Sequence, residues 1–183
     1  MKDNYVVKHC SPTLAGLKTG SLFSVSGESR EAINNDLRAL NEVLRKKGLR
    51  IIPLRYTNKY VLIYLYRFKK LKEDLMRPET RKILCNKGYN CANPDVCVAQ
   101  LVEHLKNDKD FPHEIGLFLG YPEKDVKGFM NNPDEGVMCM GCWKVYGDVE
   151  EAKRTFQIFN RCTEWYCHAI NHGRTLEQLI VPD

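Results

Sequence analysis

The spacing of apolar residues is most regular over 29–47, where Ile33, Leu37, Leu40 and Leu44 recur at helical intervals among charged residues and Gly48 stands at the expected stop. This spacing predicts an amphipathic helix. Two shorter apolar runs follow, 50–56 and 60–66, separated by Thr57-Asn58-Lys59, and they predict a β-hairpin. The second run is apolar enough to lie centrally in a sheet. Pro53 has no N–H to donate to a ladder, so it puts the first run at an edge or a bulge.

Upstream, Asn4-Tyr5-Val6-Val7-Lys8 reads as a strand, and Ser11-Pro12 reads as an N-cap and first residue of a short helix reaching Lys18. Leu22-Phe23-Ser24-Val25 reads as a second short strand. Downstream the pattern turns helical, with helices predicted over 69–76, 79–86, 94–106, 112–119 and 123–130. A strand candidate at 138–146 precedes a long helix over 149–171. Ala152, Phe156, Phe159, Thr163, Tyr166 and Ile170 form its apolar stripe, and Gly173 closes it. Together these elements imply an α/β fold: a single domain over 1–183 with a small mixed sheet of about four to five strands flanked by helices.

A chain of 183 residues that is 43% hydrophobic and 28% charged is long enough to bury a core, which sets aside disordered and fibrous classes. The longest apolar or aromatic run is too short to span a bilayer, and no signal-peptide hydrophobic segment follows Met1, so a cytoplasmic protein without a membrane partner is expected. Eight cysteines then read as free thiols or ligands, not as a disulfide framework. A formal charge of +5 leaves anionic small molecules open but falls short of a dedicated nucleic-acid footprint. Tyr56, Tyr60, Tyr64, Tyr66 and Phe68, interspersed with Arg50, Arg55, Lys59, Arg67, Lys69 and Lys70, form a basic and aromatic run that could stack on bases, though such a pattern more often marks a sheet packed on one side and solvated on the other.

Three constellations could carry chemistry. If Cys10 precedes a helix N-terminus, the backbone N–H groups and the dipole there lower its thiol pKa and favour a nucleophilic or ligating thiolate. The same turn, through Ser11 and Thr13 with Lys18 and Ser21 nearby, could hold an anion. His113-Glu114 opens a helix after Pro112, where a neutral imidazole could act as acid or base with Glu114 beside it. Cys139-Met140-Gly141-Cys142 has the spacing to grip one metal ion. His168 and His172 stand one helical turn apart but too far along the chain for a zinc-finger connection, and they read as a surface pair. Cys85, Cys91 and Cys97, six apart, suit no ligand pattern and read as packing or incidental thiols, with Cys91 the exposed one. No P-loop, zincin or penicillin-binding signature is present.

Three separated segments occur in order: Cys10-Ser11-Pro12-Thr13-Leu14-Ala15-Gly16-Leu17-Lys18, Phe111-Pro112-His113-Glu114-Ile115-Gly116-Leu117-Phe118-Leu119-Gly120-Tyr121-Pro122, and Cys142-Trp143-Lys144-Val145-Tyr146-Gly147-Asp148. Through them the chain resembles the uncharacterised bacterial family called domain of unknown function 3793. The resemblance implies no activity, but it directs attention to these segments and to Cys10, Cys139 and Cys162, which fall at family cysteines. The expectation is one polar pocket for a small anionic ligand, with Cys10 and His113 as catalytic groups. Ser11, Thr13, Lys18, Ser21, Glu114, Tyr121, Lys144 and Tyr146 would be its contacts. The alternative is a thiolate metal or iron–sulfur site, or a redox sensor, on Cys139, Cys142 and Cys162. Substrate, cofactor and oligomeric state do not follow from the residues.

Overall fold

Val6, Val7, Cys10 and Leu14 are all fully buried, and only a helix brings that three-and-four spacing to one face. The first element is accordingly α1 (Asp3–Leu14), where the local pattern predicts a strand and then a helix starting at Ser11-Pro12. Strand propensity in Tyr5-Val6-Val7 is outweighed by burial of the whole stripe. Pro12 lies in the last turn of α1, so it forgoes one intrahelical bond near the end instead of opening the helix.

The computed structural model describes residues 2–107 and 111–183. It divides into two units, Met1–Leu71 with Arg161–Asp183, and Lys72–Asn160. In the first, α1 is followed by β1 (Gly20–Val25), α2 (Arg30–Leu44), β2 (Leu49–Tyr56) and β3 (Val61–Arg67). The Ser29 side chain caps α2 by accepting from the Ala32 N–H. Gly48, at φ +84°, ends the short 3-10 turn that follows. This is the helix that the periodicity predicts.

The sheet of the first unit has the order β1-β3-β2 and is antiparallel throughout. β3 is central and buried along most of its length, and β2 is an edge strand with a register shift between Pro53 and Arg55. Both follow from the apolar second run and from Pro53. Tyr64 and Tyr66 are buried and stacked on each other, ring centroids 4.8 Å apart, which removes them as a surface for nucleic-acid bases. The end of α8 (Val149–Asn171) and α9 (Leu176–Leu179) complete the core with Tyr166, Ala169, Leu176 and Leu179. A Thr175/Gln178 capping box starts α9, a Thr-x-x-Gln signal that the periodicity alone overlooks.

β3 ends on Arg67, which is 2% exposed. Its Nε donates to the Thr13 carbonyl at 2.6 Å, and Nη2 donates to the carbonyls of Leu14 and Val181, each at 2.7 Å. Nη1 pairs with Asp183. A helix leaves its last carbonyls without intrahelical donors and favours positive charge at that end. Arg67 meets both needs for α1 while its own charge is matched.

The second unit holds the rest of α3 (Phe68–Met76), α4 (Pro78–Asn86), α5 (Pro94–Asn107), α6 (Ile115–Phe118), α7 (Glu123–Asn131), and the start of α8. The helix predicted over 112–119 is shortened to a turn at 113–114 followed by α6. The strand predicted over 138–146 doubles back at Gly141-Cys142-Trp143 into a two-stranded hairpin, β4 (Cys139–Met140) and β5 (Lys144–Val145). The mixed α/β character is as predicted, but among the described residues the strands do not form one mixed sheet. The strands divide into a three-stranded and a two-stranded sheet, both antiparallel. No helix among the described residues is long and apolar enough to cross a membrane.

Replacing Arg67 with Met keeps the volume but removes the guanidinium donors to the Thr13, Leu14 and Val181 carbonyls and the cation paired with Asp183. We expect Arg67→Met to lower stability by at least about 3 kcal/mol in urea unfolding. A loss under about 1 kcal/mol would show that the clamp is incidental.

Candidate functional site

A cavity of about 440 Å³ opens in the second unit, within the range that holds small molecules. Phe111 and His113 line it from the segment before α6, and Ile115, Gly116, Leu119 and Tyr121 from α6 and the turn after it. Asp125, Val126 and Phe129 line it from α7, and Cys142, Trp143 and Lys144 from the hairpin turn and β5. Aromatic and aliphatic side chains dominate this lining, so the cavity is not the polar pocket that the sequence suggests.

One buried carboxylate organises the walls. Asp125, 3% exposed, accepts through Oδ1 from the backbone N–H groups of Tyr146 and Gly147, both at 2.8 Å, and through Oδ2 from Trp143 Nε1 at 2.7 Å. A buried carboxylate requires such donors, and three of them fix it firmly. The Trp143 indole is thereby oriented against Tyr121, with ring centroids 4.8 Å apart and stacked, and edge-on to Phe156 at 4.6 Å. Tyr146 lies across α7 at Gly128, where any added Cβ would overlap its ring. Its hydroxyl donates to the Pro133 carbonyl at 2.8 Å.

Few polar groups remain to meet a ligand. Lys144 Nζ donates to the Pro133 carbonyl at 2.8 Å, pairs with exposed Asp134 at 3.1 Å, and stands 5.6 Å from the centre of the Phe129 ring. His113 is exposed and meets Phe129 edge-on at 4.9 Å. Burial pushes the Tyr121 phenol up to about 12, with a smaller contribution from neighbouring Cys142.

Of the residues singled out from sequence, His113, Tyr121, Lys144 and Cys142 come together here. Glu114 does not line the cavity; it is buried, accepts from the Tyr89 hydroxyl at 2.9 Å and lies 3.6 Å from His104 Nδ1. Tyr146 serves as packing between hairpin and α7. In the first unit, Cys10 lies in the interior of α1 and not at a helix N-terminus, which corrects the premise for an activated thiolate. Burial pushes its thiol up to about 12, which Lys18 and a hydrogen bond with Ser21 offset only in part. The Ser11 hydroxyl donates to the Val7 carbonyl, and the buried hydroxyls of Thr13 and Ser21 bond to each other at 2.8 Å. Lys18 is half-buried. The reason is common to all: Ser11-Pro12 ends a helix, so these side chains face a core.

The thiolate reading fares as follows. Cys139 is half-buried in β4, Cys142 is exposed, and Cys162 is half-buried on α8 with its thiol pushed up to about 11 by burial. Among the described residues no group of three or more His, Cys, Asp or Glu side chains is placed to hold a metal ion. His168 and His172 stack on each other at 3.9 Å on an exposed face. Cys91, expected exposed, is buried at 3%.

Sequence reasoning missed Asp125, Val126 and Phe129. An acidic residue in a first helical turn reads as a dipole-compensating surface group. The available signal was the spacing of Asp125 and Phe129, one turn apart on the same helix face.

The enclosed Cys10 thiol should not react with N-ethylmaleimide near neutral pH in the native protein, whereas exposed Cys85 and Cys142 should. A folded-state pKa raised to about 12 stabilises the protonated form. Its contribution to stability is therefore complete below the unfolded-state value and is lost as pH rises from there through about 12. Rapid native labelling of Cys10, read by peptide mass spectrometry, would contradict this.

A family model described as a protein of unknown function, DUF3793, matches residues 6–180. No curated protein and no solved structure matches the chain.

Proposed function

The chain belongs to the DUF3793 family, whose function is unknown, and from its own geometry we propose that the cavity of the second unit binds a small, flat aromatic molecule bearing an anionic group. The observation that carries this reading is an aromatic cavity of about 440 Å³ whose indole wall is held by a buried carboxylate. Ring faces and edges from Trp143, Tyr121 and Phe129 suit a planar ligand, and each aromatic pairing adds about 0.5–1.5 kcal/mol beyond area burial. The anion would go to Lys144. Its ion pair with exposed Asp134 contributes at most about 1 kcal/mol, so a ligand carboxylate or sulfonate could displace it.

The reading is of a binding protein. Support for a reaction through Cys10 is weak because that thiol is enclosed and protonated. A covalent step in this cavity would draw on Cys142, which lines it together with His113.

Anilinonaphthalene sulfonate, an aromatic anion, is a suitable probe. In a Trp165→Phe background Trp143 is the remaining tryptophan of the two, so its emission reports on the cavity. We expect saturable quenching, weakened about tenfold by Lys144→Met, a loss of about 1.4 kcal/mol. Phenylnaphthylamine, the uncharged analogue, should bind the Lys144→Met variant as it binds the parent. No saturable quenching, or equal sulfonate affinity in the variant, would overturn the proposal.

A further inference from the structure

A second cluster of reactive groups lies elsewhere in the same unit and is independent of the cavity. Cys91, in the segment between α4 and α5, and Cys97, in the first turn of α5, are both buried, and their sulfurs stand 3.8 Å apart. A disulfide needs about 2.0 Å, so these two sulfurs already stand in contact and must only draw closer to bond. Cys85, in the last turn of α4, is exposed and stands six residues before Cys91, close enough for the two thiols to act on each other electrostatically. The three thiols therefore run from the surface to the interior.

We propose that Cys85, Cys91 and Cys97 form a redox relay in which an oxidising equivalent taken from a peroxide at Cys85 is stored as a buried Cys91–Cys97 disulfide. The chemistry balances in three steps. The Cys85 sulfur attacks the peroxide and becomes a sulfenic acid, releasing water from hydrogen peroxide. The Cys91 sulfur displaces the hydroxyl of that sulfenic acid, which leaves as a second water, and a Cys85–Cys91 disulfide forms. The Cys97 sulfur then attacks Cys91, and Cys85 leaves as a thiol carrying the proton that Cys97 gave up. Two thiols are oxidised and one peroxide is reduced to two waters.

The order of the relay follows from burial. Cys91 and Cys97 are closed to solvent, and burial raises both thiols above the ordinary range, so neither is a ready first target. Exposed Cys85 is that target. Once formed, the buried disulfide is shielded from bulky reductants.

The test uses the full chain and hydrogen peroxide, with thiols blocked by N-ethylmaleimide after denaturation and links mapped by peptide mass spectrometry. The proposal expects a Cys91–Cys97 link in the parent protein, formed at least about tenfold more slowly in Cys85→Ser. Cys97→Ala should accumulate a Cys85–Cys91 link instead. Because Cys85 is exposed, Cys85→Ser leaves the core untouched, and circular dichroism checks its fold. Cys91 and Cys97 remaining fully alkylated after oxidation would overturn the relay. So would a link that forms in Cys85→Ser at the parent rate.

Discussion

The second unit depends on what Asp125 does. β4 and β5 have two residues each, too few for a hairpin to persist by its own ladder. Two backbone N–H groups of the chain leaving β5 and the indole N–H of Trp143 all point at one carboxylate on α7. A carboxylate buried without donors would be severely penalised, and with three it becomes a rigid joint. The hairpin is thus attached to a helix by a polar contact, and the space enclosed between them is the cavity. Gly128 allows the same approach sterically, since the Tyr146 ring occupies the place of a side chain there.

The first unit uses the opposite charge for a similar purpose. Arg67 gathers the last carbonyls of α1, the Val181 carbonyl and the Asp183 carboxylate around the end of β3. Each unit therefore joins locally formed pieces through one buried charged side chain whose hydrogen-bond capacity is met. Hydrophobic burial supplies the bulk of the driving force in both. The charged joints select which arrangement of the pieces is formed, because any other leaves several groups unpaired.

Elements with a long, regular period were legible in the sequence. α2 announces itself through Ile33, Leu37, Leu40 and Leu44 with Ser29 and Gly48 at its ends, α8 through its apolar stripe, and the edge position of β2 through Pro53. The N-terminal segment was misread because Val6-Val7 and Pro12 are local signals, whereas the burial that makes them helical comes from tertiary packing. That single error misplaced Cys10, Ser11, Thr13 and Ser21 together. In the candidate site, the segments at 111–122 and 142–148 were located, and His113, Tyr121 and Lys144 within them. Asp125 was not, because nothing in a helix-start aspartate reveals that a hairpin will fold back onto it.

The two units thus differ in what they offer a partner molecule: the first buries the candidate polar residues Ser11, Thr13 and Ser21 in its core, and the second encloses an aromatic space with a cation beside it. The most direct measurement is the affinity of Asp125→Ala for anilinonaphthalene sulfonate, with circular dichroism to establish that the helices remain. Releasing Trp143 and the hairpin from α7 should weaken binding by at least about tenfold while helical content is kept. Unchanged affinity in a folded Asp125→Ala protein would contradict the account, because the cavity would then owe nothing to the joint that shapes it.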